Sequence, residues 1–163
     1  MGLQLPGELI GLLGMLGYTW PEADESKLFE LGGAWMAYGG TVQGIVADAD
    51  TAAQQVWSGN KGEDIDAFKE AWSGEDAPTE MLRTAATSSM VVGGVFFLCA
   101  GVVLALKINV IVQLVILAIQ IAQAIATAAV TFGASLLEIP IFKEITGMII
   151  DVLVDQAIGA LLG

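Results

Sequence analysis

Catalysis needs reactive groups that can be brought together, and this sequence offers few. Its carboxylates recur at a spacing of two, Asp48 with Asp50 and Asp64 with Asp66. On a helix that spacing turns the side chains about 200° apart, so neither pair can share a proton in acid–base work. Glu63, Asp66 and Glu70 do fall on one helical face, but an acidic face in water is a solvated surface and holds a cation only loosely. Histidine is absent, and the single cysteine, Cys99, sits in the apolar run Val95-Phe96-Phe97-Leu98-Cys99-Ala100 with nothing nearby to stabilise a thiolate. That composition excludes imidazole-based triads, Cys/His zinc sites and internal disulfides. No strand pattern is present to carry a phosphate-binding loop into a helix. The chain therefore reads as no enzyme, with no cofactor and no metal, and Cys99 reads as a small buried hydrophobe.

The polar chemistry that does repeat is a series of amides and hydroxyls. Asn109, Gln113, Gln120, Gln123, Thr127 and Thr131 are separated by 4, 7, 3, 4 and 4 positions. At about 100° per residue they occupy a sector of roughly 80°, with aliphatic side chains around the rest of the helix. A buried amide must find a hydrogen-bond partner, so the seam must face water, a second polar seam or an aqueous lumen. Two readings stay open: the wet edge of a water-soluble bundle, or the lining of a pore or oligomer axis.

The elements that carry these residues all read as helices. A first helix starting at Pro6 places Leu9, Leu12, Leu13 and Leu16 on one face and ends near Gly17. Asp24 is a good N-cap for a second helix running to about Val56, with a core-facing stripe of Leu28, Leu31, Trp35, Val42, Ile45, Ala49, Ala52 and Val56. Gly32, Gly33, Gly39, Gly40 and Gly44 inside it imply a close-packed neighbour or a bend. Trp57-Ser58-Gly59-Asn60-Lys61-Gly62 has the composition of a turn, and a third helix follows to Trp72, aligning Ile65, Phe68 and Trp72. From Pro78 a long helix runs to near Thr131, about 80 Å at 1.5 Å per residue, kinked at Gly93-Gly94 or Gly101 or forming one arm of an elongated hairpin. A break at residues 132–135 and at Pro140 precedes a last helix with Ile145, Ile149, Val152, Leu153 and Ile158 on its apolar side.

Charge divides the chain unevenly. Of 18 acidic and 6 basic residues, 14 and 4 lie in residues 1–90, leaving 4 and 2 for the rest. A net charge of −12 leaves no phosphate-neutralising surface, so no nucleic-acid partner is expected. Thr84 to Leu106 and Ile108 to Leu137 are uncharged, which brings a membrane into consideration. The N-terminus has no basic residue before Lys27 and no small-residue cleavage pattern, so it does not read as a Sec signal. These patterns predict an all-α fold: an elongated helical bundle built on a helix-turn-helix hairpin, with long apolar C-terminal helices. We read residues 1–163 as one domain, with an acidic hairpin part at 1–77 and an apolar part at 78–163.

The series Trp20-Pro21, Asp24-Glu25, Leu28, Leu31-Gly32, Ala34-Trp35, Trp57-Ser58-Gly59, Ala67-Phe68 and Ala71-Trp72 resembles the WxG-motif families of actinobacterial type VII (ESX) secretion. More specifically it looks like the CpnT-like N-terminal module of polymorphic toxins. That likeness extends through Val112-Gln113-Leu114-Val115-Ile116-Leu117-Ala118, the block 131–136 and Ile139-Pro140. The resemblance implies a helical module that targets a toxin or effector to type VII secretion. Its partner would be a small WxG-type protein or a second copy in a homo-oligomer, and its destination outside the cell or on its surface by a non-Sec route. In the namesake this part is also linked to a membrane channel, which is the alternative reading. Trp57, Ser58 and Gly59 form the hairpin motif, with Trp35, Phe68 and Trp72 packing around it. The chain ends at Gly163 with no toxin domain, as expected of a fragment or a stand-alone member. The family's Tyr-x-x-x-Asp/Glu export signal is missing after the hairpin; Tyr18 to Glu22 matches its letters but precedes the hairpin, and reads as coincidence.

Overall fold

The computed structural model describes residues 2–162 and is all-α among them. The helices are α1 (Gly7–Met15), α2 (Glu25–Gly59), α3 (Glu63–Ser73), α4 (Pro78–Thr127) and α5 (Glu138–Leu162), with a 3-10 turn at Ala134–Leu137. The chain divides into two compact units, Leu28–Leu98 and the combination of Met1–Lys27 with Cys99–Gly163. Helices α2 and α4 are continuous through the division points.

In the unit Leu28–Leu98, α2 and α4 lie antiparallel and touch through small residues. A Cβ on Gly32 would stand 3.0 Å from the Gly93 carbonyl oxygen, and one on Gly39 would stand 2.8 Å from that of Ala86. Val42, Val46 and Ala53 continue the buried edge of α2, facing the side that carries Ala86 and Gly93 of α4. The glycines expected to bend the helix or admit a neighbour thus separate: Gly32 and Gly39 admit one, whereas Gly33, Gly40 and Gly44 face open space. Gly93 serves the same close approach instead of marking a break, and α4 runs helical through Gly94 and Gly101.

The structure corrects the stripe expected to face the interior on α2. Leu31 (46% exposed), Trp35 (39%) and Ile45 (58%) face outward, because the narrow glycine edge lets the backbones approach and leaves the larger side chains outside. The tryptophan motif also moves. Trp57, Ser58 and Gly59 form the last turn of α2, where the Ser58 hydroxyl donates to the Gln55 carbonyl and Asn60 Nδ2 donates to that of Val56 at 2.8 Å. The helix therefore runs through the motif, and the reversal falls at Asn60 to Gly62, where Gly62 has φ +146°.

In the second unit, α1 packs against the later part of α4 and against α5. Leu5, Leu9, Leu13, Val110, Leu114 and Ile150 form its core, with Leu12 and Leu16 against it, as the spacing of the α1 leucines predicts. Pro6 sits at the N-cap of α1, one position before the first helical residue. Pro140 falls inside the first turn of α5, where a missing N–H leaves no hydrogen bond unmade. The buried side of α5 is Thr146 and Ile150, so the expected apolar face is displaced, and Ile145, Ile149, Val152 and Ile158 are exposed. Cys99 is half-buried, not sealed in.

Candidate functional site

The hairpin end of the first unit is closed by aromatic side chains. Trp57 and Phe68 have ring centroids 5.9 Å apart, and Phe68 and Trp72 are 5.6 Å apart, so the alignment of Phe68 and Trp72 on α3 meets the tryptophan at the end of α2. No residue of α3 is fully buried, so this ladder is its main apolar anchor. A polar clasp backs it. Trp72 Nε1 donates to Asp50 Oδ1 at 3.0 Å, and the Arg83 guanidinium pairs with the other oxygen, so one carboxylate on α2 ties α3 and α4. The Trp72 indole N–H, aided by Arg83, holds the Asp50 carboxyl below the usual carboxylate range against the opposing effect of burial.

Trp35 stands apart from that ladder. It packs edge-on against Tyr38 at 6.3 Å and, with Leu31 and Ala34, lines an open apolar groove of about 360 Å³ on the outer side of α2. These positions are spaced three and four apart, and Ile45 continues the row, so the outward stripe is itself a helix face with no partner among the described residues. Exposed apolar surface of this kind is what folded proteins use to contact proteins, membranes or ligands.

The amide seam keeps its register along α4 as far as Thr127. Asn109, Gln123 and Thr127 are exposed, and Gln113 and Gln120 are half-buried. Asn109 Nδ2 donates to the Ala105 carbonyl at 2.9 Å and lines a groove of about 170 Å³ that Gln156 of α5 also borders. The Thr127 hydroxyl donates to the Gln123 carbonyl at 2.9 Å. Thr131 lies beyond the helix end, in the turn that leads to α5. Among the described residues no second polar seam faces the glutamines.

Sequence reasoning treated Lys107 as a mere interruption between uncharged runs and gave Glu25 only a helix-start role. The two form a buried ion pair, Nζ to Oε2 at 2.9 Å, with side chains 2% and 5% exposed. Lys107 Nζ also donates to the Ala23 carbonyl at 2.6 Å and lies 5.8 Å from the Trp20 ring centre, while the Leu3 N–H donates to the other Glu25 oxygen. Burial works to raise the Glu25 carboxyl, but the Leu3 N–H and the Lys107 ammonium outweigh it and hold it down at about 2. A lone cation inside so long an uncharged stretch is the signal that a buried carboxylate must answer it. Tyr18 is likewise engaged. Its hydroxyl reaches Asp151 at 2.6 Å and the Gly147 carbonyl at 3.0 Å, which ties the letters of the apparent export signal into the second unit.

Two stretches, within Glu63–Thr127 and Ala134–Leu162, are long and apolar enough to cross a membrane by length and composition, and only 28% and 17% of their most apolar windows are buried. Among the described residues no group of three His, Cys, Asp or Glu is placed to hold a metal ion. Asp48 and Asp64 enter none of the clasps described above. Compared with known proteins, residues 4–147 match the family model described as WXG100 like domain. No curated protein and no solved structure matches the chain.

Proposed function

Since the chain belongs to the WXG100-like family, we propose that it is a non-enzymatic helical module that delivers an actinobacterial polymorphic toxin or effector to type VII secretion by associating with a protein partner. The family match over residues 4–147 supports a helical, secretion-associated module. The observation that carries the finer reading is the uncovered face of α2, where Leu31, Trp35, Tyr38 and Ile45 align outward. A second helical hairpin, from a small WxG-type protein or another copy, would bury that row as α4 buries the glycine edge. The CpnT-like assignment and the non-Sec route to the cell exterior belong to the same proposal. Its test is export: the chain should reach the culture medium of a host with an intact type VII system and stay inside when the system's ATPase is inactivated. Trp35→Asp should block export without loss of helicity. Equal export from both hosts would overturn it.

The poorly covered apolar windows of α4 and α5 favour a second reading, a membrane channel whose water-lined face is the seam from Asn109 to Thr127, with Thr131 at its end. On that reading the full chain releases dye trapped in vesicles, and Gln120→Leu stops release without stopping binding. Vesicles that bind the chain and stay sealed would count against it.

A further inference from the structure

We propose that the turn between α4 and α5 is a lipid-contacting tip that seats the protein on an uncharged bilayer interface without spanning it. Three side chains project from it: Val130 is 82% exposed, Phe132 99% and Leu137 76%. Phe132 also holds a left-handed backbone, φ +53°, which a bulky residue adopts at a cost, and gains no packing in return. A fully exposed aromatic on a strained turn makes physical sense when an apolar phase lies outside the protein.

The polar groups of the turn point to the same environment. In lipid, backbone donors must be satisfied internally. Here the N–H groups of Ala128, Val130, Thr131, Gly133, Ala134 and Leu136 bond to carbonyls of the same turn or of the end of α4, and the Ser135 N–H bonds to the Thr131 hydroxyl. The Thr131 and Ser135 hydroxyls bond to each other at 3.0 Å, and the Ser135 hydroxyl reaches the Ala124 carbonyl at 2.7 Å. Gly133, at φ +85°, lets the chain close this network. The turn thus pairs these N–H groups and both hydroxyls internally, while Val130, Phe132 and Leu137 project outward.

Charge selects the kind of surface. No charged residue lies between Lys107 and Glu138, so the tip offers nothing to an anionic headgroup, and a net charge of −12 is repelled by an anionic leaflet. An uncharged, phosphatidylcholine-like interface fits, and binding there should not respond to salt. This tip is independent of the partner face proposed above.

The test is flotation of the full chain with phosphatidylcholine vesicles at low salt and at 0.5 M salt, measured alongside circular dichroism. The wild-type chain should float at both salt concentrations. The double variant Phe132→Asp, Leu137→Asp should lower the bound fraction at least tenfold with unchanged helicity, since both side chains are almost wholly exposed. Leu98→Asp, at a position 72% exposed on α4 away from the turn, should float like wild type. Failure of the wild-type chain to float, loss of binding in salt, or equal loss in the Leu98 variant would overturn the proposal. So would Phe132→Asp abolishing co-purification of a protein partner while leaving flotation intact, which would assign the tip to a protein contact.

Discussion

Replacing Lys107 by alanine isolates the buried Glu25–Lys107 charge pair. The substitution leaves the Glu25 carboxylate, 4% exposed, facing the Leu3 N–H without the Lys107 ammonium. Removing one partner of a buried pair costs about 3–5 kcal/mol, because the other charge remains desolvated. The pH dependence gives a second estimate. Glu25 titrates near 2 in the folded chain against an ordinary value of 4.5, a difference worth on the order of 3 kcal/mol. A lowered carboxyl stabilises the fold above its unfolded value, so this contribution is complete above about pH 4.5 and disappears as the pH falls toward 2. In Lys107→Ala the Glu25 carboxyl loses the cation that helps to hold it down and rises, so that variant should lose less stability than wild type on acidification. Urea unfolding followed at 222 nm between pH 3 and pH 7 measures both quantities. Glu25→Gln with Lys107→Met, which keeps the volume and the acceptor for the Leu3 N–H, should recover all but about 1.5 kcal/mol. A loss below about 1 kcal/mol in Lys107→Ala, or strict additivity in the double variant, would refute the buried pair as an energetic unit.

Other perturbations probe the remaining contacts. Gly93→Leu should destabilise by about 1–3 kcal/mol, since its Cβ would stand 2.8 Å from the Gly32 carbonyl oxygen, whereas Gly40→Ala, in open space, should gain up to about 1 kcal/mol; thermal melts of the two variants make the comparison. The Tyr18 phenol, pushed up to about 12 by its hydrogen bond to Asp151, then by burial and the Asp151 charge, stabilises the fold below pH 10 and stops doing so as pH rises through 12. Absorbance titration at 295 nm should show a late tyrosine step that Tyr18→Phe removes. Trp57→Ala should cost about 2 kcal/mol in urea, less than the roughly 3–5 kcal/mol of a fully buried tryptophan, and hydrogen exchange should localise the loss to α3.

Much of the fold is legible in the residues. The α1 leucine spacing, the Asp24 cap, whose carboxylate accepts from the Ser26 and Lys27 N–H groups, and the Phe68–Trp72 alignment each follow from local geometry. What escaped was the choice of face. On α2 two apolar rows lie side by side, one of bulky residues through Trp35 and one of small residues through Gly32 and Gly39, and side-chain periodicity gives more weight to the bulky row. Close backbone approach favours the other, which depends on the match with Gly93 on α4. Composition placed the turn at Trp57, but the Asn60 side chain extends the helix end through its bond to Val56. The Glu25–Lys107 pair joins residues 82 positions apart, beyond the reach of any local pattern.

The central claim is that the outward row on α2 exists to be covered by a protein. Size exclusion with light scattering in detergent-free buffer, on the full chain alone and co-expressed with the protein encoded beside it, tests this directly. The account predicts a defined complex whose mass exceeds that of one chain and which Trp35→Asp dissolves. A monodisperse single chain under both conditions, or a complex indifferent to Trp35→Asp, would contradict it.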